Sequence, residues 1–472
     1  MIALAEKTYS AKAQFDVGGY EAAKPSSNRR PSRTVTMHED EVAKQNTRRK
    51  LIANTRDKRR NFSVVRWAIN KHLDFVVPHK FQSRSGDKGW DKELEAFVKY
   101  ASSKKRFDSA AKHSRNRAMR LYEAHRIMDG DVYGHKLRGG YLQGIEGDCI
   151  RDPDLAKKRK GEKWTNGVRK NRWDREEAYA VHRRSGKNFK LSRVVSSSRM
   201  IPFGYYDRFH QTRGISPIVS ALDEIGDVYE GFNYALAREK VNQLFALAIT
   251  RDSEDGFFDE DSENIDDEQE PYKVDFGKGP IVLDMDPGDN ANFLNLQGTT
   301  DQSQKFWDAV IAIALKAIDI PFSFFREDFT NFFGSRAALM LYLKACKPKR
   351  EDVAEFSNDW LGWRVFEAET QGELLLPSGF NVEHAVCNQW GWIPEGTPWW
   401  NPLQEVKANN EAVDNYQRNR SEVRAEGFGD DWFEMMERRI EEDDFLRENN
   451  LPVSIPKNAQ TDMLAMMGSN DA

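Results

Sequence analysis

The residue types that carry most enzyme chemistry are present, but their spacing forms no familiar catalytic or metal-binding pattern. The three cysteines, Cys149, Cys346 and Cys387, lie far apart, which excludes a disulfide framework and a cysteine-based zinc site. The nine histidines include no HExxH pair. The segment DMDPGDN at 284–290 lacks the twelfth-position glutamate of a calcium-binding EF-hand loop. We interpret it as an Asp-Pro-Gly turn and predict neither a metal nor a cofactor.

Glycine-rich nucleotide loops and nucleophile elbows are also missing from the sequence. It has no GxxxxGK[ST], no GxGxxG after a predicted strand and no GxSxG. With 75 Asp and Glu in 472 residues, paired carboxylates arise by chance, so no glycosidase dyad can be singled out. These observations predict that the protein is not an enzyme.

Length and charge limit the functional class further. The 472 residues correspond to roughly three domains or lobes. The 71 Lys and Arg against 75 Asp and Glu give a formal net charge of −4, which argues against wrapping nucleic acid by overall charge. The longest apolar run, residues 309–315, is far shorter than the roughly 18 residues of a membrane span. We expect a protein made in a cytoplasm that does not span a membrane.

The first half of the chain predicts helices followed by a β-rich lobe. Residues 29–60 carry eleven Lys or Arg against four Asp or Glu, which predicts a mobile basic arm running into a helix around 40–60. This segment either contacts nucleic acid or an acidic partner, or is a solvated helix face. Apolar spacing of three and four predicts helices over 61–128. Glycine-punctuated β-branched and aromatic runs predict strands over 129–206. The basic segment 157–173 is either a binding loop or an exposed hairpin tip.

The second half predicts long helices separated by unusual segments. A helix begins at Ser216 and Pro217 and runs to about Ile249. Apolar residues recur along it at steps of four and three: Ile218, Leu222, Ile225, Tyr229, Phe232 and Leu236. An acidic stretch at 251–270 must be solvated. Helices over 301–320 and 335–369 flank a phenylalanine-rich loop, and tryptophans near 390–400 predict core and interface packing or, alternatively, stacking on sugars or bases.

This order of elements, together with six motifs in the same order, resembles the lambda-like portal proteins of tailed bacteriophages. The motifs are FDSAAKHSRNRAMRLYEAHRIMDGDVY at 107–133, LQGIEGDCIRDP at 142–153, NGV…REEAYAVHRR at 166–184, RFHQTRGISPIVSALDEIGDVYEG at 208–231, FGSRAALM at 333–340 and NPLQEVKANNEAV at 401–413. The resemblance covers roughly residues 40–450. Its most specific positions are Gln211, Arg213, Gly214, Ser216, Pro217, Ser335 and Arg336.

The resemblance implies an α+β portal-type fold with an elongated helical stem, a mixed wing, a small β-containing clip and a helical C-terminal crown, assembled as a ring. The implied divisions are a basic arm at 1–60, the wing at 61–216, stem helices at 217–249 and 301–320, a clip with an acidic insertion at 250–300, a tunnel loop at 321–336, a long helix and wing return at 337–400, and the crown and tail at 401–472. The arm and the acidic insertion have no match in the family.

The same resemblance implies a channel, usually of twelve subunits, at one capsid vertex, through which double-stranded DNA is packaged and ejected. The channel or tunnel-loop residues expected to contact DNA are Lys305, Lys316, Arg326, Phe329 and Asn331, although intersubunit salt bridges are an equal alternative for the three cations. The clip residues expected to dock partners are Asp259, Glu260, Asp261, Asp266 and Asp267. A solvated insertion with no partner is an equal alternative for this acidic segment.

The partners implied by the resemblance are the terminase large subunit, a head-tail adaptor, the major capsid protein and scaffold, with no membrane. The location implied is the virion, after assembly in the host cytoplasm. A metal-dependent nucleic-acid-processing enzyme such as a nuclease is the main alternative, and a sugar-binding module built on the tryptophans is a third. Ring formation separates the portal hypothesis from both.

Overall fold

The computed structural model describes residues 35–153, 163–186, 188–244, 247–251, 289–293, 301–327, 332–396 and 401–452. The acidic residues Asp259, Glu260, Asp261, Asp266 and Asp267 lie outside these ranges, as do Phe329 and Asn331. Their expected roles at the clip and the tunnel loop therefore remain predictions.

Helices form most of the described chain. They are α1 Glu39–Val42, α2 Gln45–Asn61, α3 Ser63–Val76, α4 Lys88–Ala101, α5 Lys104–Phe107, α6 Arg115–Asp129, α7 Leu222–Leu244, α8 Asp301–Lys316, α9 Phe322–Arg326, α10 Phe332–Gln371, α11 Val382–Asn388, α12 Pro402–Asp414, α13 Arg420–Phe428 and α14 Trp432–Glu448. At 1.5 Å per residue, the 40-residue α10 is about 60 Å long and is the longest helix among the described residues.

Four small antiparallel sheets accompany the helices. The strands are β1 His79–Ser83, β2 Asp131–Leu137, β3 Tyr141–Glu146, β4 Trp164–Thr165, β5 Val168–Lys170, β6 Glu176–Ser185, β7 Asn188–Ser196, β8 Met200–Gly204, β9 Leu247–Arg251, β10 Asp289–Phe293 and β11 Trp390–Pro394. The sheet orders are β3-β2-β8, β4-β5-β6-β7, β1-β11 and β10-β9. Strands β2 to β8 form the β-rich lobe that the sequence predicts for 129–206.

The main core lies where α3, α6 and the middle of α10 meet sheet β3-β2-β8. Phe356 of α10 packs against Tyr122 and Phe203, with ring centroids 4.8 and 5.1 Å apart. Trp360 is 1% exposed and packs on Phe107 at 5.1 Å. These contacts hold the helical and β-rich parts of the predicted wing together as one packed unit.

The tryptophans of the predicted cluster that the structure describes are mostly core residues. Trp390 and Trp392 lie on β11, which pairs with β1, and both are buried. Arg115 lies over the Trp392 ring with its guanidinium carbon 3.9 Å from the centroid. Buried indoles such as Trp360, Trp390 and Trp392 cannot stack on a sugar, so these three residues cannot form the proposed sugar-binding site.

Residues 39–61 are helical, as the sequence predicts for about 40–60, but they are not a fully solvated helix face. Helix α2 packs into the fold with Arg48, Ile52 and Thr55 buried. The physical reason is pairing across the fold, because Arg48 donates to both carboxylate oxygens of Asp131 at 3.1 Å. Some of the basic residues of this segment therefore form ion pairs inside the fold. A count of charges along the chain cannot distinguish these residues from solvated ones.

His79, at the start of β1, makes the stability of this fold sensitive to mild acid. Burial lowers the pKa of His79 to about 4, although the Val77 carbonyl oxygen, 2.8 Å from Nδ1, opposes the shift. The unfolded chain takes up this proton near pH 6.5, so the contribution is complete above that pH and is lost as the pH falls towards 4. We expect His79→Gln to flatten the pH dependence of the free energy of unfolding by up to about 3 kcal/mol across this window.

Urea unfolding of the wild type and of His79→Gln between pH 8 and pH 4 measures this difference. The glutamine amide can keep a hydrogen bond to the Val77 carbonyl, so the two proteins should have similar stability at pH 8. Parallel pH profiles for the two proteins would contradict the prediction.

Candidate channel and assembly surfaces

The first predicted stem helix begins as the sequence indicates but ends earlier. Ser216 caps it by accepting a hydrogen bond from the Ile218 amide at 3.2 Å, and Pro217 occupies its first turn. A 3₁₀ turn over Pro217–Ala221 leads into α7, which ends at Leu244 rather than at Ile249. Residues Leu247–Arg251 form β9 instead, because β-branched Ile249 and Thr250 favour a strand that can pair with β10.

The second stem helix is also shorter than predicted. Helix α8 ends at Lys316 rather than at Ile320, and Asp319 adopts the left-handed conformation with φ of 62°. Pro321 explains the ending, since a proline disfavours helical conformation in the residue before it. Ile318 and Ile320 are buried, so the turn that follows α8 is anchored in the core.

Helices α7 and α8 cross at a glycine. A Cβ atom placed on Gly231 would overlap the Trp307 ring of α8, so the close approach of the two helices requires that residue to be glycine. Phe232 lies beside the same ring with centroids 6.0 Å apart. The contact fixes the spacing of the two helices that the family resemblance assigns to the stem.

We expect Gly231→Ala to destabilise the α7–α8 pair even though alanine is the better helix former by about 1 kcal/mol. Overlap with the indole outweighs this gain unless the ring moves. The double variant Gly231→Ala/Trp307→Ala should be less destabilised than the sum of the two single variants. Thermal unfolding of the four proteins measures the coupling, and strict additivity of the two substitutions would count against the contact.

Large apolar side chains are exposed along α7, α8 and the first turns of α10. On α7 and α8 they are Phe232, Tyr234, Leu236, Phe306 and Ile313, with exposed fractions between 43% and 72%. On α10 they are Phe333, Met340 and Leu341, with exposed fractions between 60% and 80%. Several large apolar side chains exposed on the same few helices are candidates for contact with another protein chain. The regularly spaced apolar residues of 218–236 therefore fall into two groups. Ile218 and Ile225 are buried in the core, whereas Phe232 and Leu236 are exposed.

The phenylalanine-rich segment of the predicted tunnel loop is ordered within its own chain. It forms α9, and α10 begins at Phe332, so helices cover most of 321–336. Phe325 packs on Trp67 at 5.7 Å, and Phe324 packs on Phe75 and Tyr342 at 6.1 and 5.5 Å. The prediction that this segment is too apolar for a free loop agrees with these contacts, which are made to α3 and α10.

The three cations predicted to contact DNA have different surroundings. Lys305 and Lys316 are exposed on α8. Arg326 forms an ion pair with Asp308 of α8 and lies 5.5 Å from the Phe322 ring centroid. The pair with Asp308 ties Arg326 to its own chain, so Lys305 and Lys316 are the better candidates for transient contact with a polyanion.

Arg213 of the predicted family motif is the centre of a buried ionic network. Its guanidinium donates to Asp131 through Nε at 2.7 Å and through Nη2 at 2.9 Å. The other donations go to the carbonyl oxygens of Gly147, Ile150 and Asn166, at 2.6, 2.9 and 2.7 Å. All five N–H donors of Arg213 are therefore satisfied, and a single side chain joins β2, the turn after β3 and the β4–β5 hairpin.

Asp131 is the acceptor on which this network depends. It also accepts from Arg48 and from the Gly214 amide at 3.0 Å. Burial alone would raise the pKa of Asp131, but Arg213 and Arg48 hold it below its ordinary value. The carboxylate therefore stays charged at neutral pH, and the network is charge-balanced only in part, with two guanidinium groups facing one carboxylate.

The remaining motif residues also shape the backbone. Gln211 is buried, and its amide nitrogen donates to the Arg213 carbonyl oxygen at 2.8 Å. Gly214 lies so close to Gly130 that a Cβ on either residue would overlap the backbone of the other. Ser216 donates to the Ile127 carbonyl oxygen at 2.6 Å. The motif thus holds the start of α7 against the end of α6, which sets the direction in which α7 leaves the β-rich lobe.

The two motif residues on α10 lie near the C-terminal helices. Ser335 is buried, and Arg336 lies 3.7 Å from Glu405 of α12 in a partly exposed ion pair. Asp131 lies within the 107–133 motif, but its role as the shared acceptor of Arg48 and Arg213 is not apparent from the sequence. Its signal is an acidic residue that opens the apolar strand β2, which requires a cation but does not say which one.

Two further properties concern the described residues alone. No group of three or more His, Cys, Asp or Glu side chains there could hold a metal ion. None of the helices in the described ranges combines the length and the hydropathy of a membrane-spanning segment.

The model of the phage portal proteins of the lambda family matches residues 26–348. The chain belongs to this family. The match includes both stem helices, the Arg213 network and the start of α10, and it confirms the resemblance and the α+β portal-type fold predicted from sequence. Members of the family are structural components of phage particles, so this portal protein belongs to a structural class.

Comparison with solved structures finds chains from gene transfer agent particles. A chain of the virion of a native particle has 12% identity and a TM-score of 0.46, covering 81% of this chain and 98% of its own. A chain from the neck of an empty particle, computed with C6 symmetry, has 12% identity and a TM-score of 0.47, with coverage of 79% and 92%. A chain from the neck of a native particle, computed with C12 symmetry, has 11% identity and a TM-score of 0.43, with coverage of 78% and 91%. No curated protein matches this chain.

Proposed function

We propose that this portal protein assembles into a closed ring, of twelve copies, whose axial channel passes double-stranded DNA during packaging into a capsid and during ejection from it. The family match over residues 26–348 is the observation that carries the proposal. Membership supports a position at one capsid vertex, after assembly in the host cytoplasm. In this role the protein guides DNA and performs no chemistry on it.

The exposed apolar residues of α7, α8 and α10 support ring assembly. A ring is built from one heterologous contact repeated until it closes, so each copy offers two different surfaces to its neighbours. The apolar side chains around Phe306 and Leu236 are exposed in the single chain and would be covered by the next copy. Covering them removes apolar surface from water, which is the main favourable contribution to association.

The charges of the stem helices support passage of DNA without tight binding. Helix α7 carries five acidic residues and two basic ones, and α8 carries two of each, so the two helices together have a net charge of −3. A channel rich in Lys and Arg would bind phosphates and slow sliding. We propose that Lys305 and Lys316 make brief phosphate contacts in an otherwise neutral or acidic channel, with Phe329 and Asn331 near the narrowest point.

We propose that the acidic segment containing Asp259, Glu260, Asp261, Asp266 and Asp267 docks the terminase large subunit first and a head-tail adaptor later. Dense negative charge steers a basic partner by long-range attraction. The major capsid protein and scaffold are the proposed partners of the wing.

Electron microscopy of the purified protein, combined with native mass measurement, tests the proposal. Twelve copies of a 54.4 kDa chain give particles of about 650 kDa, with an axial hole wide enough for duplex DNA. Compact small oligomers that cleave DNA in the presence of a divalent metal would overturn it in favour of a nuclease.

A further inference from the structure

One β-hairpin of this acidic protein carries several cations and no acidic residue. Between Ala178 and Met200 the sequence contains six Lys or Arg and not one Asp or Glu, although the whole chain has a net charge of −4. This segment forms β6, β7 and the turn that leads to β8. The hairpin belongs to sheet β4-β5-β6-β7 and is separate from the helices α7 and α8, which the family resemblance assigns to the stem.

Two of these cations face each other without a carboxylate between them. Arg183 of β6 lies directly opposite Lys190 of β7 in the strand register, and both are exposed. Like charges in directly opposed positions destabilise a strand pair. Within the described residues neither side chain forms an ion pair, whereas the neighbouring Arg184 pairs with Asp148. The uncompensated pair favours a bound anion.

The positive field extends along the hairpin towards β8. His135 of β2 has its pKa lowered by burial and also by the nearby Arg193 and Arg199. Arg193 donates to Gln143 and contacts His135 Nδ1 at 3.1 Å. Cations therefore lie at both ends of β7 and along its length.

Apart from Val194, the other exposed side chains of β7 and its following turn are small hydrogen-bonding groups. They are Asn188, Ser192, Ser196 and Ser198. Asparagine and serine side chains, like Lys and Arg, are common donors to phosphate oxygens. Strand β7 is also an edge strand in its sheet among the described residues, so backbone N–H groups along its outer edge face away from the sheet.

We propose that the outer surface of the β6–β7 hairpin, defined by Arg183, Lys190, Arg199 and the exposed serines of β7, binds the phosphate backbone of duplex DNA outside any channel. The contact is independent of sequence and depends on salt. It would hold DNA on the wing while the near-neutral stem lets DNA slide.

Composition favours DNA over a protein partner at this surface. Protein interfaces have cores depleted in charged residues and enriched in aromatic and apolar ones. Among the described residues of this hairpin, Val194 is the large apolar side chain that is exposed, with an exposed fraction of 51%. DNA-binding surfaces are polar and strongly basic, which describes the hairpin. An acidic polypeptide remains the competing partner that an experiment must separate from DNA.

Binding of relaxed, covalently closed circular duplex DNA to the full-length protein tests the inference, because a closed circle cannot thread through a closed ring. We expect salt-dependent binding by the wild type. Each lost phosphate contact reduces the slope of log K against log salt by about 0.9, so Arg183→Glu/Lys190→Glu should reduce it by about 2. The matched control is Lys104→Glu/Lys105→Glu, which makes the same change in net charge at two exposed lysines of α5.

The outcomes separate this inference from the proposed function. Weaker binding by the hairpin variant, with binding kept by the control and ring mass unchanged in both, supports the inference. Equal weakening by both variants would show a general charge effect and overturn it. Wild-type binding to poly-glutamate but not to circular DNA would assign the surface to an acidic protein and also overturn it. Absence of rings with intact circular-DNA binding would refute the portal channel and leave the hairpin inference standing.

Discussion

Replacing Arg213 by alanine should lower the free energy of unfolding by about 3–5 kcal/mol, the range measured when one partner of a buried ion pair is removed. All five of its N–H donors are used, and its loss would remove one hydrogen bond from each of three backbone carbonyl oxygens and two from the Asp131 carboxylate. The effect should appear as a lower urea midpoint and a lower yield of soluble protein. We also expect ring assembly to be impaired, because Arg213 directly precedes Gly214 and Ser216, which fix the start of α7.

Lysine should not rescue this position. An ammonium group has three donors and no planar fork, so Arg213→Lys should remain destabilised by more than half of the alanine effect. Arg172→Ala is the matched control, since Arg172 is exposed on the β5–β6 turn and should change the free energy of unfolding by at most about 0.5 kcal/mol. Equal stability of Arg213→Lys and the wild type would show that charge alone, without the five-donor geometry, holds the network.

The same network predicts a response to strong acid. The pKa of Asp131 is held below its ordinary value by Arg213 and Arg48 against the effect of burial. Its contribution to stability is therefore complete above the unfolded pKa, near 4, and is lost as the pH falls through the lower folded value. The loss lies below the window in which His79 acts, so the two groups can be separated by pH.

Replacing Phe306 and Ile313 together by glutamate should abolish ring assembly while leaving the single chain folded. The two residues are seven positions apart on α8 and therefore share a helix face, and they are 60% and 57% exposed. In the single chain a charge there remains in water. In a ring it would be buried against an apolar neighbour without a partner, which costs several kcal/mol at every subunit contact.

Native mass measurement and circular dichroism separate assembly from folding in this variant. We expect unchanged helical signal and a shift from ring-sized particles to single chains. Phe366→Glu is the matched control, because Phe366 is also on a helix and is 61% exposed, but lies far along α10 from the stem. If Phe366→Glu disrupted rings while the α8 variant did not, the assembly surface would not be on the stem helices.

Local sequence patterns predicted most elements of this fold, but the prediction of helices throughout 61–128 was wrong at His79–Ser83, which form β1 because the distant strand β11 pairs with them. The Ser216-Pro217 pair predicts a helix start because a side-chain cap and a fixed φ act within a few residues. Glycine-punctuated runs predict strands for the same local reason. Helix ends were less predictable, since Ile249 became part of a strand only because β10 lies beside it.

The family motif is visible in the sequence, but the role of Arg213 as the centre of a buried ionic network is not. Gln211, Arg213 and Gly214 are adjacent in the chain, so their spacing can be read directly. Asp131, the partner of Arg213, is 82 residues away, and nothing in the spacing of charges links the two. The same limit applies to Arg48, whose basic neighbours suggested a solvated arm.

By itself, the sequence determined the α+β class, the order of the elements, the family and the acidic overall charge, because these depend on composition and on spacing along the chain. The tertiary structure alone decided which charges are internal and which face outward. It buried Arg48 and Arg213 on Asp131, tied Arg326 to Asp308, and left Arg183 and Lys190 opposite each other without a carboxylate. The physical reason is that Coulomb pairing depends on distance in space, which the chain sets only after it has folded.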